Sequence, residues 1–185
     1  MENTKVDIRE KSNLRILSQF IALAGVLVIL PWFIHVQWIT GPIVNAILIL
    51  ILFLVGKREA LLACFIPSLI ALAAGLLPVV LAPMIPFIML SNVLYVLIID
   101  WLYYYWVEKN RGYWYGVLAG SLSKFAFLFL AFTIISHWVI NKKLVLIIAQ
   151  TMSWTQLATA LTGGLIAWLI LRWLKFIKYD REKIS

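Results

Sequence analysis

The sequence predicts an all-α, polytopic membrane protein with six transmembrane helices and both termini in the cytoplasm. Three observations predict it. Ile16 to Gly56 and Ala60 to Ile99 carry no Lys, Arg, Asp or Glu. Gly and Pro interrupt each stretch near its middle, and nearly all Lys and Arg fall on one side of the alternating path that results. The composition agrees: 64% of the 185 residues are hydrophobic and 13% are charged, whereas a soluble domain is about half apolar and a quarter charged. Such a chain needs lipid over part of its surface, and a multi-pass protein of the cell membrane is expected.

The elements follow in order. A bilayer core about 30 Å thick takes ~20 helical residues, so Ile16 to Gly56 holds two spans, near 14–34 and 38–56, with Pro31, Gly41 and Pro42 near the turn. Ala60 to Ile99 holds a second hairpin, near 59–76 and 84–107, broken by Gly75, Pro78, Pro83 and Pro86. Pro67 falls inside the third span and predicts a kink, because proline removes a backbone donor. The fifth span is expected near 113–138, ending at Asn141, Lys142 and Lys143. The apolar run beyond is too long for one perpendicular span, so it divides into a short interfacial helix near 144–150 and a sixth span near 153–174. In outline, residues 1–13 form a cytoplasmic N-terminal segment, 14–175 one six-helix membrane domain, and 176–185 a charged cytoplasmic tail expected to be partly disordered. A cleaved signal peptide is not expected: the small pair Ala22 and Ala24 comes too early in a run that continues to Phe33.

Orientation comes from the cations. Lys5, Arg9, Lys11 and Arg15, then Lys57 and Arg58, then Lys109 and Arg111, then Arg172, Lys175, Lys178, Arg181 and Lys183 lie on one side of a six-span path, with Lys142 and Lys143 opposite. Basic loops stay in the cytoplasm. Trp32 and Trp38 at the first outer turn, the run from Trp101 to Tyr115 around the fourth loop, and Trp173 mark headgroup levels. The net charge of +8 is therefore topological, and nucleic-acid binding is not expected.

Several function classes lack their motifs. There is no G-x-x-x-x-G-K-[ST], no G-x-S-x-G and no H-E-x-x-H. The single Cys64 supports neither an intramolecular dithiol cycle nor a zinc cluster. His35 and His137 near the outer span ends do not make a metal set by themselves. An enzyme, a cofactor and a metal centre are not expected.

Two formal charges fall well inside spans, Asp100 and Lys124. Charges at that depth are costly and usually face a bundle interior with a partner. They read either as a substrate or coupling group or as a structural intramembrane charge pair, the long Lys stem bridging their different depths. Gly116 and Gly120 continue the Lys124 face at a spacing that lets helix backbones approach, and Ala160, Gly163, Gly164 and Ala167 do the same in span six. Polar residues gather in the outer half: Thr40 and Asn45, Ser91 and Asn92, then Thr155, Gln156, Thr159 and Thr162. They either satisfy one another or line a pocket, with Trp38, Tyr95, Trp138 and Trp154 placed to stack on a ligand.

Gln37-Trp38-Ile39-Thr40-Gly41-Pro42-Ile43-Val44-Asn45-Ala46, the hairpin from Pro67-Ser68-Leu69 to Ala82-Pro83-Met84-Ile85-Pro86-Phe87, Asn92-Val93-Leu94-Tyr95, and Trp154-Thr155-Gln156-Leu157-Ala158-Thr159-Ala160-Leu161-Thr162-Gly163-Gly164 resemble the substrate-capture (S) subunits of energy-coupling factor (ECF) transporters, over residues 14–175. The resemblance implies a bacterial vitamin- or precursor-binding subunit with an outward-opening site. It also implies a separate transmembrane coupling protein and cytoplasmic ATPases as partners. Carried over by position, the substrate contacts are Asn92, Tyr95, Lys124, Trp154, Gln156 and Thr159, with Trp38 and Asn45 closing from the first hairpin. The family's A-x-x-x-A docking pattern is absent from the first helix; Ser18, Ala22 and Gly25 give a similar small face. The Met-His start of the metal-specific branch is also missing. Two other readings stand beside this one: a stand-alone permease or small efflux protein with a proton-coupled Asp100–Lys124 site, and a membrane scaffold with no small ligand.

Overall fold

Backbone amides in lipid can be satisfied only within helices or closed barrels, and runs of Leu, Ile, Val and Ala take the helical solution. The computed structural model describes residues 2–75, 79–106, 108–136 and 154–174, and these form an all-α polytopic bundle. Its elements are α1 (Glu2–Phe33), α2 (Gln37–Leu54), α3 (Lys57–Ala63), α4 (Ile66–Ala73), a 3₁₀ turn (Val79–Met84), α5 (Ile85–Tyr105), α6 (Lys109–Ser136) and α7 (Trp154–Trp173). Among the described residues, five stretches are long and apolar enough to cross a membrane: Leu14–Phe33, Gln37–Leu54, Ala82–Tyr105, Asn110–Ile135 and Trp154–Trp173.

The third expected span differs from the single kinked helix anticipated near 59–76. It is two short helices, α3 and α4, that part at Cys64 and Phe65. Pro67 cannot donate to the carbonyl of Ala63, and at this position the missing bond divides the helix instead of bending it. Gly75, at φ +73°, ends α4 in the left-handed region where glycine has no Cβ penalty. At the N-terminus the helix continues through the segment set apart as 1–13, so α1 has 32 residues. At 1.5 Å per residue that is about 48 Å, longer than the hydrocarbon core. The interfacial helix expected near 144–150, His137, Trp138, Lys142, Lys143 and the 176–185 tail lie outside the described residues.

Helix directions follow from the contacts at glycines. A Cβ on Gly41 would meet Thr159, and one on Gly163 would meet Pro42, Asn45 and Ala46, so α2 and α7 run parallel. Gly112 faces Leu102 and Tyr103, Gly116 faces Ile99, and Gly120 faces Tyr95, so α5 and α6 run antiparallel. Gly164 faces Val117 of α6. The small faces noted in the sequence are therefore internal helix–helix seams. The main core fills the space between α2, α5, α6 and α7. Its inner end is aromatic, with Phe53 edge-on to Tyr103 at 4.7 Å and tilted against Tyr113 at 5.9 Å. A second apolar cluster of Met84, Ile85, Leu128 and Ala131 closes the outer ends of α5 and α6. By contrast α1 packs lightly, and most of its apolar residues from Leu14 to Phe33 are exposed.

Candidate functional site: a buried lysine between two amides

Between these clusters the bundle core holds a polar group built from three helices. Lys124 of α6 is 2% exposed. Its Nζ donates to Asn45 Oδ1 of α2 at 2.8 Å and to Asn92 Oδ1 of α5 at 2.7 Å. It also lies 5.5 Å from the centroid of the Tyr95 ring, within cation–π range.

The protonation pattern of an ammonium fixes the orientation of everything around it. Lys has donors and no acceptor, so both asparagines must turn their oxygens toward it. Their amide NH₂ groups then need acceptors elsewhere. Asn45 Nδ2 donates back to the Gly41 carbonyl at 3.0 Å. Asn92 Nδ2 donates to the Cys64 carbonyl at 3.4 Å, which the division between α3 and α4 presents to it. The broken third span thus contributes a ligand for a ligand. Tyr95 is held from its far end, its hydroxyl donating to the Ala160 carbonyl of α7 at 2.8 Å. Tyr113 does the same toward the Gly164 carbonyl at 2.6 Å.

A line of buried polar side chains leads outward from this group along the α2–α7 seam. Thr159 and Gln156 of α7 are buried, as are Thr40 and Thr155. The Thr159 hydroxyl donates to the Gln156 carbonyl at 3.2 Å and that of Thr40 to the Val36 carbonyl at 3.2 Å. On the α5–α6 side the outward direction from Lys124 is blocked by Leu128, one turn along the helix, and Met84. The residues beyond Lys124 are therefore polar on the α2–α7 side of the bundle and apolar on the α5–α6 side.

The structure sorts the residues expected from the sequence into four groups. Asn45, Asn92, Tyr95 and Lys124 converge; Gln156 and Thr159 extend the group outward. Trp38 and Trp154 sit at the outer starts of α2 and α7, 61% and 71% exposed, with Trp154 tilted against Phe125 at 5.5 Å. Ser18 and Ala22 are exposed and a Cβ on Gly25 would meet nothing within 4 Å, so that small face of α1 is unused within the bundle.

The Asp100–Lys124 charge pair is corrected. Asp100 Oδ2 is 2.7 Å from Lys57 Nζ, at the inner start of α3, while Lys124 is held by amides. Asp100 lies eight residues inward of Asn92 on α5, about 12 Å at 1.5 Å per residue, too far from the Lys124 level for the stem to bridge. Lys57 was the residue that sequence reasoning missed; it read only as a topological charge at a loop. His35 Nε2 lies 3.2 Å from the Ala74 carbonyl, tying the first outer turn to the end of α4. Among the described residues no three His, Cys, Asp or Glu side chains converge. No family model, curated protein or solved structure matches this chain.

Proposed function

We propose that this chain is the substrate-capture subunit of an ATP-driven micronutrient importer of the energy-coupling factor type, and that it takes from the outer face a small molecule carrying a negatively charged group. One observation carries the reading. Lys124 is a buried cation whose neighbours are two neutral amides and an aromatic ring, with the acid nearest in kind, Asp100, engaged by Lys57. A charge inside a membrane bundle is expensive without an opposite charge. The amide oxygens accept two of its three hydrogens and, among the described residues, no carboxylate compensates its charge, so a carboxylate or phosphate on a ligand is the partner it calls for. The buried polar line through Thr159 and Gln156 gives such a group a route, and the exposed Trp38 and Trp154 at its mouth supply surfaces for a ring. The sequence resemblance to ECF capture subunits supplies the transport context: a coupling protein and ATPases provide the energy, and the chain itself hydrolyses nothing. A proton-coupled permease built on an Asp100–Lys124 pair loses its central contact, because the two residues take different partners.

The test is mass spectrometry of small molecules that survive purification in mild detergent, for the wild type and Lys124→Met. The expected result is an acidic small molecule retained by the wild type and lost from the variant, with both proteins monodisperse. A retained molecule that is neutral or cationic, or one held equally by Lys124→Met, would overturn the reading.

A further inference from the structure

The third span carries a recess, unrelated to Lys124, on the face it turns away from the bundle. Lys57, Arg58, Leu61, Leu62 and Phe65 line an open groove of about 500 Å³. Their spacing, i, i+1, i+4, i+5 and i+8, is one face of a helical path that persists across the division at Cys64. Two cations stand at one end, and the walls beyond them are apolar. Leu62 and Phe65 are exposed. From Arg58 to Phe65 the strip is about 10 Å long at 1.5 Å per residue.

Among the described residues, Arg58 alone at the cationic end is left without an ion-pair partner. Asp100 is committed to Lys57. The Glu59 carboxylate folds back over Gly56, where a Cβ would come within 2.6 Å of it. Arg58 is exposed and makes no ion pair among the described residues. The groove is therefore an apolar channel with one planar, unpaired guanidinium, that of Arg58, at its end. We propose that it is a binding site for an anionic phospholipid, with the phosphodiester at Arg58 and an acyl chain along Leu61, Leu62 and Phe65. A guanidinium matches phosphate oxygens two at a time. A zwitterionic lipid is a poorer occupant, because its own ammonium meets the unpaired Arg58 guanidinium. Lys57 and Arg58 belong to the basic side of the chain, where anionic lipids give each cation about 1 kcal/mol of attraction.

The experiment is native mass spectrometry of the full chain released from nanodiscs made of equal parts phosphatidylglycerol and phosphatidylcholine. Wild type is compared with Arg58→Gln, Arg58→Lys and the control Arg15→Gln, which removes an exposed cation from the same side. The expected result is preferential retention of phosphatidylglycerol, reduced about fivefold by Arg58→Gln, largely kept by Arg58→Lys and unchanged by Arg15→Gln. Equal retention of the two lipids by the wild type would overturn the proposal, as it would if the groove received an acidic segment of a protein instead. Equal losses in Arg58→Gln and Arg15→Gln would also overturn it, because the effect would then be bulk charge.

Discussion

Substituting Gly163 by Ala tests whether the α2–α7 seam sets the geometry of the Lys124 group. A Cβ on Gly163 would lie 2.6 Å from Asn45 Cβ, 2.7 Å from the Pro42 carbonyl oxygen and 3.0 Å from the Ala46 nitrogen. Two of these three neighbours are backbone and cannot rotate aside. Ordinary carbon–carbon contact is about 3.5–4.0 Å, so the helices must part by roughly 1 Å at this level. Overpacking of this kind costs about 1–3 kcal/mol, and roughly 2–4 °C of melting temperature goes with each kcal/mol in a chain of this size. The same displacement carries Asn45 away from Lys124 and lengthens a 2.8 Å bond beyond hydrogen-bond range. Gly25→Ala is the matched control. It lies mid-helix in α1 with nothing within 4 Å of its Cβ position, so it should gain about 0.5–1 kcal/mol from helix propensity alone. Scanning fluorimetry of both variants in detergent reads the difference, the tryptophans serving as the probe. A Gly163→Ala protein melting with the wild type, or a Gly25→Ala protein melting below it, would refute the seam geometry.

Other substitutions separate surface electrostatics from buried bonds. Asp100→Asn should lower stability by about 1 kcal/mol or less, because half of Lys57 is in contact with solvent and can do without its partner; Lys57→Gln should cost more, because it leaves the buried Asp100 carboxylate unpaired, and the double variant should recover part of that loss, which a melting cycle checks. Tyr113→Phe removes the hydroxyl from the Gly164 carbonyl and should cost about 1 kcal/mol, read as a fall in melting temperature with the ring packing against Phe53 kept. Tyr95→Phe should cost about as much through the Ala160 carbonyl while leaving the ring beneath Lys124, so retention of a small molecule should survive it better than it survives Lys124→Met.

What the sequence disclosed and what it did not divide along a physical line. Spans one, two, four, five and six were legible because long apolar stretches bounded by Gly/Pro breaks or charged turns set them directly, and periodicity placed Gly116, Gly120, Gly163 and Gly164 on seams. Asn45, Asn92, Tyr95 and Lys124 could be named because polar side chains at those depths are rare and must find one another. The division of the third span was only half legible: Pro67 marks a lost hydrogen bond, yet whether a helix bends or parts there depends on the packing of α4 against its neighbours. The partner of Asp100 was hidden, because periodicity says which face a residue lies on and not which helix meets that face. Lys57 comes within reach only once α3 is folded back against the inner half of α5. The same limit hid the roles of the Gly41 and Cys64 carbonyls, since backbone acceptors leave no trace in residue type.

Whether the Lys124 group exists for architecture or for a ligand can be decided by removing it whole. Deleting one member of a buried polar network leaves the others unsatisfied, and hydrogen bonds to charged groups are worth about 1.5–3 kcal/mol, so Asn92→Leu alone should be clearly destabilised. Lys124→Met with Asn45→Leu and Asn92→Leu removes donor and acceptors together, at nearly constant volume, inside a core already made of Ile47, Leu48 and Val96. Replacing a buried ionic group by packed apolar side chains is often neutral or stabilising by about 1–4 kcal/mol. The triple variant should therefore melt at or above the wild type and well above Asn92→Leu, while retaining no acidic small molecule. That outcome would mean that the membrane core keeps a lysine at a cost to its own stability, which only an interaction absent from the empty protein explains. A triple variant less stable than Asn92→Leu would show instead that Lys124 is a strut between α2, α5 and α6, and the anionic ligand would lose its foundation.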